Sequence, residues 1–162
     1  MGKGEKPIRV NVNAAIVRDD KILLIEFMDE GLMHFNLPGG GIDVGESIEE
    51  ALKRECREEA EVEVEVGRLL LAWEYVPEKL NFRYGKKQKV GFVFKCQLKA
   101  GSEPAFPSSP DKNQVGVRWV PLADLEKIPA ATRGPLFPAI ETPLLKALLG
   151  NSGPSAIWSE AN

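Results

Sequence analysis

Between residues 37 and 62 the chain changes character twice, and that passage limits the folds open to it. Leu37 and Pro38 lead into Gly39, Gly40 and Gly41, three glycines whose bare backbone permits a close approach that side chains would block. Ser47, with Glu50 three residues on, then makes a capping box, while Glu46, Glu49 and Glu50 suit the positive end of a helix dipole. A helix is predicted from there to about Ala60, after which Val62, Val64 and Val66 alternate with Glu61, Glu63 and Glu65 as a strand does. A glycine turn, one central helix and a return to strand point to an α+β layer fold.

Set out at about 100° per residue from Ile48, the helix places Ala51, Leu52, Glu55 and Glu59 within roughly 60° of one inward stripe. Glu50, Lys53 and Arg57 take the outer face, and Glu58 lies on the flank. Burying an unpaired carboxylate is costly, so acids aimed at a core call for a cation. Glu55, Glu58 and Glu59 stand at i, i+3 and i+4, which gathers hard oxygen donors of the kind Mg²⁺ or Mn²⁺ prefers. By helix geometry alone, residues 54–59 also read as a charge run on a wet helix face.

The flanking segments read mostly as strands. Residues 8–17 alternate Val10, Val12, Ala14 and Ile16 against Arg9, Asn11 and Asn13, the period of a half-buried strand, and Asp19 and Asp20 turn the chain into the apolar run 22–27 as a hairpin. Residues 28–36 read as a loop, 69–75 continue the strand after the helix through Gly67 with a bulge, and 88–98 and 115–120 are two further strands. Residues 121–125 form a short helical turn and 137–149 a closing helix with Pro143 near its start. Residues 1–150 are expected to form one domain and 151–162 a loosely ordered tail.

Composition narrows the function. With a formal net charge of −3 the chain lacks the basic surface of a general nucleic-acid binder, so nucleic acid is not an expected partner. No apolar run suits a membrane span or a secretion signal, and the reading is a cytoplasmic protein acting on a small molecule. Cys56 and Cys96 make neither a disulfide framework nor a zinc cluster, and each is expected to pack as a small buried hydrophobe. A homodimer is an expectation drawn only from how often soluble enzymes form twofold pairs.

Gly40, Glu46 and the run Arg54-Glu55-Cys56-Arg57-Glu58-Glu59-Ala60-Glu61-Val62 together resemble the Nudix box, G-x5-E-x7-R-E-U-x-E-E-x-G-U with U apolar. Leu37-Pro38-Gly39 before it and Trp119-Val120-Pro121-Leu122 after it resemble the family's flanks. The departure is Glu61, which stands where the family has glycine; at positive φ a residue with a side chain costs on the order of 1 kcal/mol.

The resemblance implies an α/β/α sandwich with a mixed β-sheet between helices. It also implies metal-dependent hydrolysis of a phosphoric anhydride in a nucleoside diphosphate-linked substrate. On that reading Glu55, Glu58 and Glu59 hold Mg²⁺, with Mn²⁺ as a substitute, helped by the carbonyl of Gly39. Arg54 holds the carboxylates in place, Glu46 braces the loop, and Gly40 is structural. Relatives draw the general base from the box or from a later loop acid. Gln114 stands near that later position and cannot serve, so Glu55 or Glu58 is favoured, with Asp111 as the outside candidate.

The box does not specify the group beyond the diphosphate. Pro77, fifteen residues past Val62, resembles a marker of the ADP-ribose pyrophosphatase branch, although a proline also simply ends strands. Phe82, Arg83 and Tyr84 are the substrate-binding candidates in the loop that follows, with Lys86 and Lys87 as further phosphate partners. Trp73 and Tyr75 suit either a core or a purine platform, and His34 is expected to be structural. The leading substrate is ADP-ribose or a nucleotide sugar. The alternatives are nucleoside triphosphate pyrophosphohydrolysis, RNA cap removal, and a non-catalytic nucleotide-binding regulatory module.

Overall fold

A computed structural model describes residues 7–82, 85–127, 136, 139–150 and 153–157. Its strands are β1 Arg9–Arg18, β2 Lys21–Asp29, β3 Leu32–Asn36, β4 Gly39–Gly41, β5 Val64–Tyr75, β6 Lys89–Leu98, β7 Gln114–Pro121 and β8 Ser155–Ile157. The helices are α1 Ile48–Ala60 and α2 Glu141–Leu149, with 3-10 turns at Pro77–Leu80 and Leu122–Lys127. The sheet runs β3-β2-β1-β6-β5-β8, with β4 added on β1 and β7 on β2. Two pairings, β1 with β6 and β5 with β8, are parallel and the others antiparallel, so the sheet is mixed.

Each face of this sheet carries its own core. Val12, Ala14, Ile16, Leu23, Ile25 and Phe27 pack against Ala51, Leu52, Cys56 and Ala60 of α1. On the opposite face Ala15, Leu24, Leu71, Trp73 and Val93 join Leu144 and Ala147 of α2. A helix on each side of a mixed sheet is the expected α/β/α sandwich. Cys56 and Cys96 are free and buried within the α1 core, as small hydrophobes are.

Four local readings need correction. β1 is not half-buried but covered on both faces over its centre, with Asn13 and Ala15 buried alongside Ala14, while Val10 at its start is exposed. Residues 32–36, read as loop, form β3 in a hairpin with β2 through Glu30 and Gly31, both at positive φ. Trp73 and Tyr75 are core residues at 1% and 2% exposure and cannot act as a platform for a purine. Ser155–Ile157, within the supposedly loose tail, pair with Leu71, Ala72 and Trp73 of β5.

α1 begins and ends as its sequence dictates. Ser47 accepts the Glu50 N–H while the Glu50 side chain accepts the Ser47 N–H, at 3.2 and 2.8 Å. Glu61 terminates the helix in the left-handed conformation, φ 55° and ψ 30°, so a glutamate carries the strain the family assigns to glycine. Its N–H bonds the Arg57 carbonyl at 3.0 Å, and the Val62 N–H bonds the Cys56 carbonyl at 3.3 Å.

Candidate active site

The glycine strand β4 lies between β1 and α1, and the geometry there leaves no room for side chains. A methyl group on Gly39, at φ 149°, would lie 2.7 Å from the Asn13 Cα. One on Gly40 would lie 2.6 Å from Cδ of Glu55, so the Glu55 carboxylate occupies the space that glycine leaves. The Gly39 N–H donates to Glu59 Oε2 at 2.8 Å. The glycine run thus meets the helix acids directly.

Arg54 ties these parts together. Its Nε and Nη2 form two bonds to Glu46, both 2.9 Å, and Nη2 also donates to the Gly41 carbonyl at 3.0 Å. Nη1 reaches Glu55 at 2.8 Å and Glu58 at 3.2 Å. The Arg54 bonds, and after them the Asp43 N–H that Glu46 also accepts, hold the Glu46 carboxyl below the usual range. The guanidinium fork therefore fixes the loop 42–47 to α1 and holds two acids of the helix at once.

Burial sets the electrostatics. Glu55 and Glu59 are 8% and 3% exposed, and desolvation raises both carboxyls, that of Glu59 well above its ordinary value. Arg54 opposes the rise at Glu55, and the Gly39 N–H opposes it at Glu59. The charge of Asp111, in the loop before β7, adds to the rise at both. Glu58 is exposed at the rim.

Among the described residues no three His, Cys, Asp or Glu side chains converge at metal-ligand spacing. The carboxylates are drawn to separate donors instead, Glu55 and Glu58 to Arg54 and Glu59 to Gly39. Each commits one oxygen. Oε2 of Glu55, Oε1 of Glu58 and Oε1 of Glu59 have no hydrogen-bond donor among the described residues. Three hard oxygens on one helix face, two of them on buried acids, suit a small divalent ion once Glu58, at the exposed rim, rotates toward the other two. The Gly39 contact that the structure gives is through its N–H, whereas the sequence reading assigned its carbonyl.

The other candidates separate. Phe82 is half-exposed in a left-handed turn after Pro77–Leu80. Arg83 and Tyr84 lie outside the described residues. His34 stacks on Phe27 with centroids 5.4 Å apart and lies 3.6 Å from Asp29, a packing role. Sequence reasoning dismissed Gln114 for its lack of basicity, yet it is 5% exposed and its Nε2 donates to the Glu59 carbonyl at 2.7 Å.

Residues 7–139 match the NUDIX domain family. The chain belongs to that family. This Nudix hydrolase is similar to an ADP-ribose pyrophosphatase from Streptococcus suis, at 24% identity over 93% of this chain and 99% of the other, with a TM-score of 0.62. It is similar to a UDP-X diphosphatase at 25% identity over 95% of this chain and 69% of the other, TM-score 0.67. A MutT Nudix hydrolase from Burkholderia pseudomallei shares 29% identity over 74% of this chain and 88% of the other, TM-score 0.61. No curated protein matches the chain. Nudix hydrolases act on small nucleotides and generally need divalent metal ions. Among the described residues no helix is long and apolar enough to cross a membrane.

Proposed function

We propose that this Nudix hydrolase cleaves the phosphoric anhydride of a nucleoside diphosphate linked to a second group, ADP-ribose or a nucleotide sugar. The observation that carries this reading is the α1 carboxylate set: Glu55, Glu58 and Glu59 each keep one oxygen clear of protein donors beside the glycine strand. These three residues would hold Mg²⁺, or Mn²⁺ in its place. The bound ion supplies charge neutralisation for the diphosphate and activation of the attacking water.

The chain's own groups do the rest. Arg54 and Glu46 fix the loop and helix so that the acids meet the substrate in one geometry. Glu55 or Glu58 would take the proton of the attacking water. Arg54, donating to both, holds these two carboxylates in place. Phe82, Arg83 and Tyr84 are proposed to contact the base and the distal group, in a segment set off by Pro77. The similarity to a UDP-X diphosphatase supports a diphosphate-linked substrate.

The test is a panel of ADP-ribose, nucleotide sugars, dinucleoside polyphosphates and nucleoside triphosphates with Mg²⁺, with product analysis. Two monophosphate products from a diphosphate-linked substrate support the proposal. Pyrophosphate release from triphosphates, with the other substrates left intact, would replace it with nucleotide-pool cleaning. Binding without turnover across the panel would identify a regulatory module.

A further inference from the structure

We propose that Asn11 and Asn13 of β1 are specificity-determining residues that receive hydroxyls of the sugar on the far side of the diphosphate. This deepens the reading of the chain as a hydrolase of diphosphate-linked sugars, and it rests on that reading.

At the strand period of two, β1 presents Arg9, Asn11 and Asn13 on the face that Ala15 shares with Leu71, Trp73 and Val93, while Val12, Ala14 and Ile16 face α1. Polar residues are out of place in that row. Asn13 is only 6% exposed, and the Oδ1 atoms of both asparagines are buried with no hydrogen-bond donor among the described residues. A side-chain oxygen buried without a donor is rare and costs free energy. Two in succession on one face mark a place for donors that the chain does not itself supply.

The neighbouring strands shape that place. Across β4, Asn11 and Asn13 stand opposite Gly41 and Gly39, and across β6 Asn11 stands opposite Gly91. Other side chains lie where these glycines have none. Cζ of Arg9 is 2.5 Å from the position of a Gly41 methyl, Nδ2 of Asn13 is 2.9 Å from that of Gly39, and the Trp73 indole covers Gly91. Asn11 therefore sits between a guanidinium and an indole. Gly40 turns the other way, toward Glu55, so only the backbone of β4 separates the asparagine row from the acids of α1. One extended diphosphate-linked molecule can meet both.

The spacing and chemistry favour a sugar. Residues i and i+2 of a strand are about 6.6 Å apart, which suits hydroxyls set around a ring and not the adjacent donors on one edge of a base. A hydroxyl both gives and receives a hydrogen bond, as an asparagine amide does. The Arg9 charge beside Asn11 disfavours a metal ion there. Trp73, 1% exposed, offers no open face on which a base could stack.

The test pairs residue with hydroxyl. Wild type, Asn11→Ala and Asn13→Ala are assayed with Mg²⁺ on ADP-ribose, ADP-glucose and analogues lacking single hydroxyls of the distal sugar. Each variant is expected to raise KM for the intact sugars about tenfold while kcat stays within about threefold. Removal of the matching hydroxyl should cost wild type the same factor and cost the variant nothing further. Variants impaired equally on every analogue would overturn the proposal. So would an unchanged KM with a raised Tm, which would show that the amides hold only water. If an alanine variant does not fold, leucine, close to asparagine in shape, takes its place with the same expected outcomes. The two levels separate by substrate: wild type that cleaves only nucleoside triphosphates removes the proposed function and the sugar site with it, whereas sugars cleaved equally well by wild type and both variants remove the sugar site alone.

Discussion

Glu59→Gln separates a catalytic carboxylate from a structural one. Glu59 is 3% exposed and its Oε2 accepts the Gly39 N–H at 2.8 Å. Glutamine matches its shape and keeps that acceptor, so the variant avoids the cost of about 1–3 kcal/mol for leaving the glycine amide unpaired. Turnover should fall by at least about a hundredfold, equivalent to about 2.7 kcal/mol of transition-state stabilisation. Stability should move the other way. Because burial raises the Glu59 carboxyl in the folded state, ionisation opposes folding at any pH above the unfolded-state pKa of about 4.3. The cost builds as pH rises from there toward the folded-state pKa and is complete above it. With EDTA at neutral pH the variant should therefore melt at or above the wild-type temperature, and the difference should shrink as pH falls to about 4. Adding Mg²⁺ should raise the wild-type Tm, by the equivalent of about 2.7 kcal/mol at a hundred times Kd, and raise the variant's much less. Phosphate release and thermal melts across pH provide the measurements. Turnover within about threefold of wild type would remove the ligand assignment. A lower Tm for the variant in EDTA at pH 7 would show that the ionised carboxylate is itself a stabilising group.

Three further outcomes follow from the geometry. Arg54→Lys replaces a fork that serves Glu46, Glu55, Glu58 and Gly41 with a single ammonium, and should cost at least about tenfold in kcat with a modest loss of Tm. Gly40→Ala displaces the Glu55 carboxylate and should lower turnover more than stability. Gly39→Ala strikes the β1 backbone at a positive φ and should lower stability by several kcal/mol, so unfolding curves alongside activity separate the two. The Lys89 ammonium is lowered to about 8 by burial, then by Arg9 and Lys87. Its charged form opposes folding fully below that pH, and the penalty is relieved as pH rises toward the unfolded-state value of about 10.4. Wild type should therefore gain on Lys89→Met in denaturant titrations between about pH 7 and 10, and a constant difference would contradict it.

The parts of this molecule legible in its sequence are those fixed by neighbours along the chain. Ser47 and Glu50 mark the start of α1, and Glu61 marks its end at the expected position, because capping is settled within a turn or two. The inward aim of Glu55 and Glu59 also follows from helical period, as their burial shows. What the sequence concealed depends on distant strands. Trp73 and Tyr75 are core because α2 and the turns after β7 cover that face, and Asn13 is buried because β1 is central to the sheet. β3 has only five residues and contains Met33 and His34, too little pattern to stand out from a loop. As a residue type Gln114 offers only its lack of basicity, whereas its place on the α1 face follows from the unpaired Val115, a property of the ladder that no local spacing reveals.

The short pairing of Ser155–Ile157 has a bearing on solubility. β5 is twelve residues long, and on the side away from β6 its backbone would otherwise present open donors and acceptors over Leu71, Ala72 and Trp73. Such an edge invites strands from other copies, the first step of sheet-to-sheet aggregation. The three-residue β8 closes that stretch, so it acts as a guard against self-association. Removal of residues 151–162 should leave the acids of α1 untouched and be felt first as concentration-dependent precipitation.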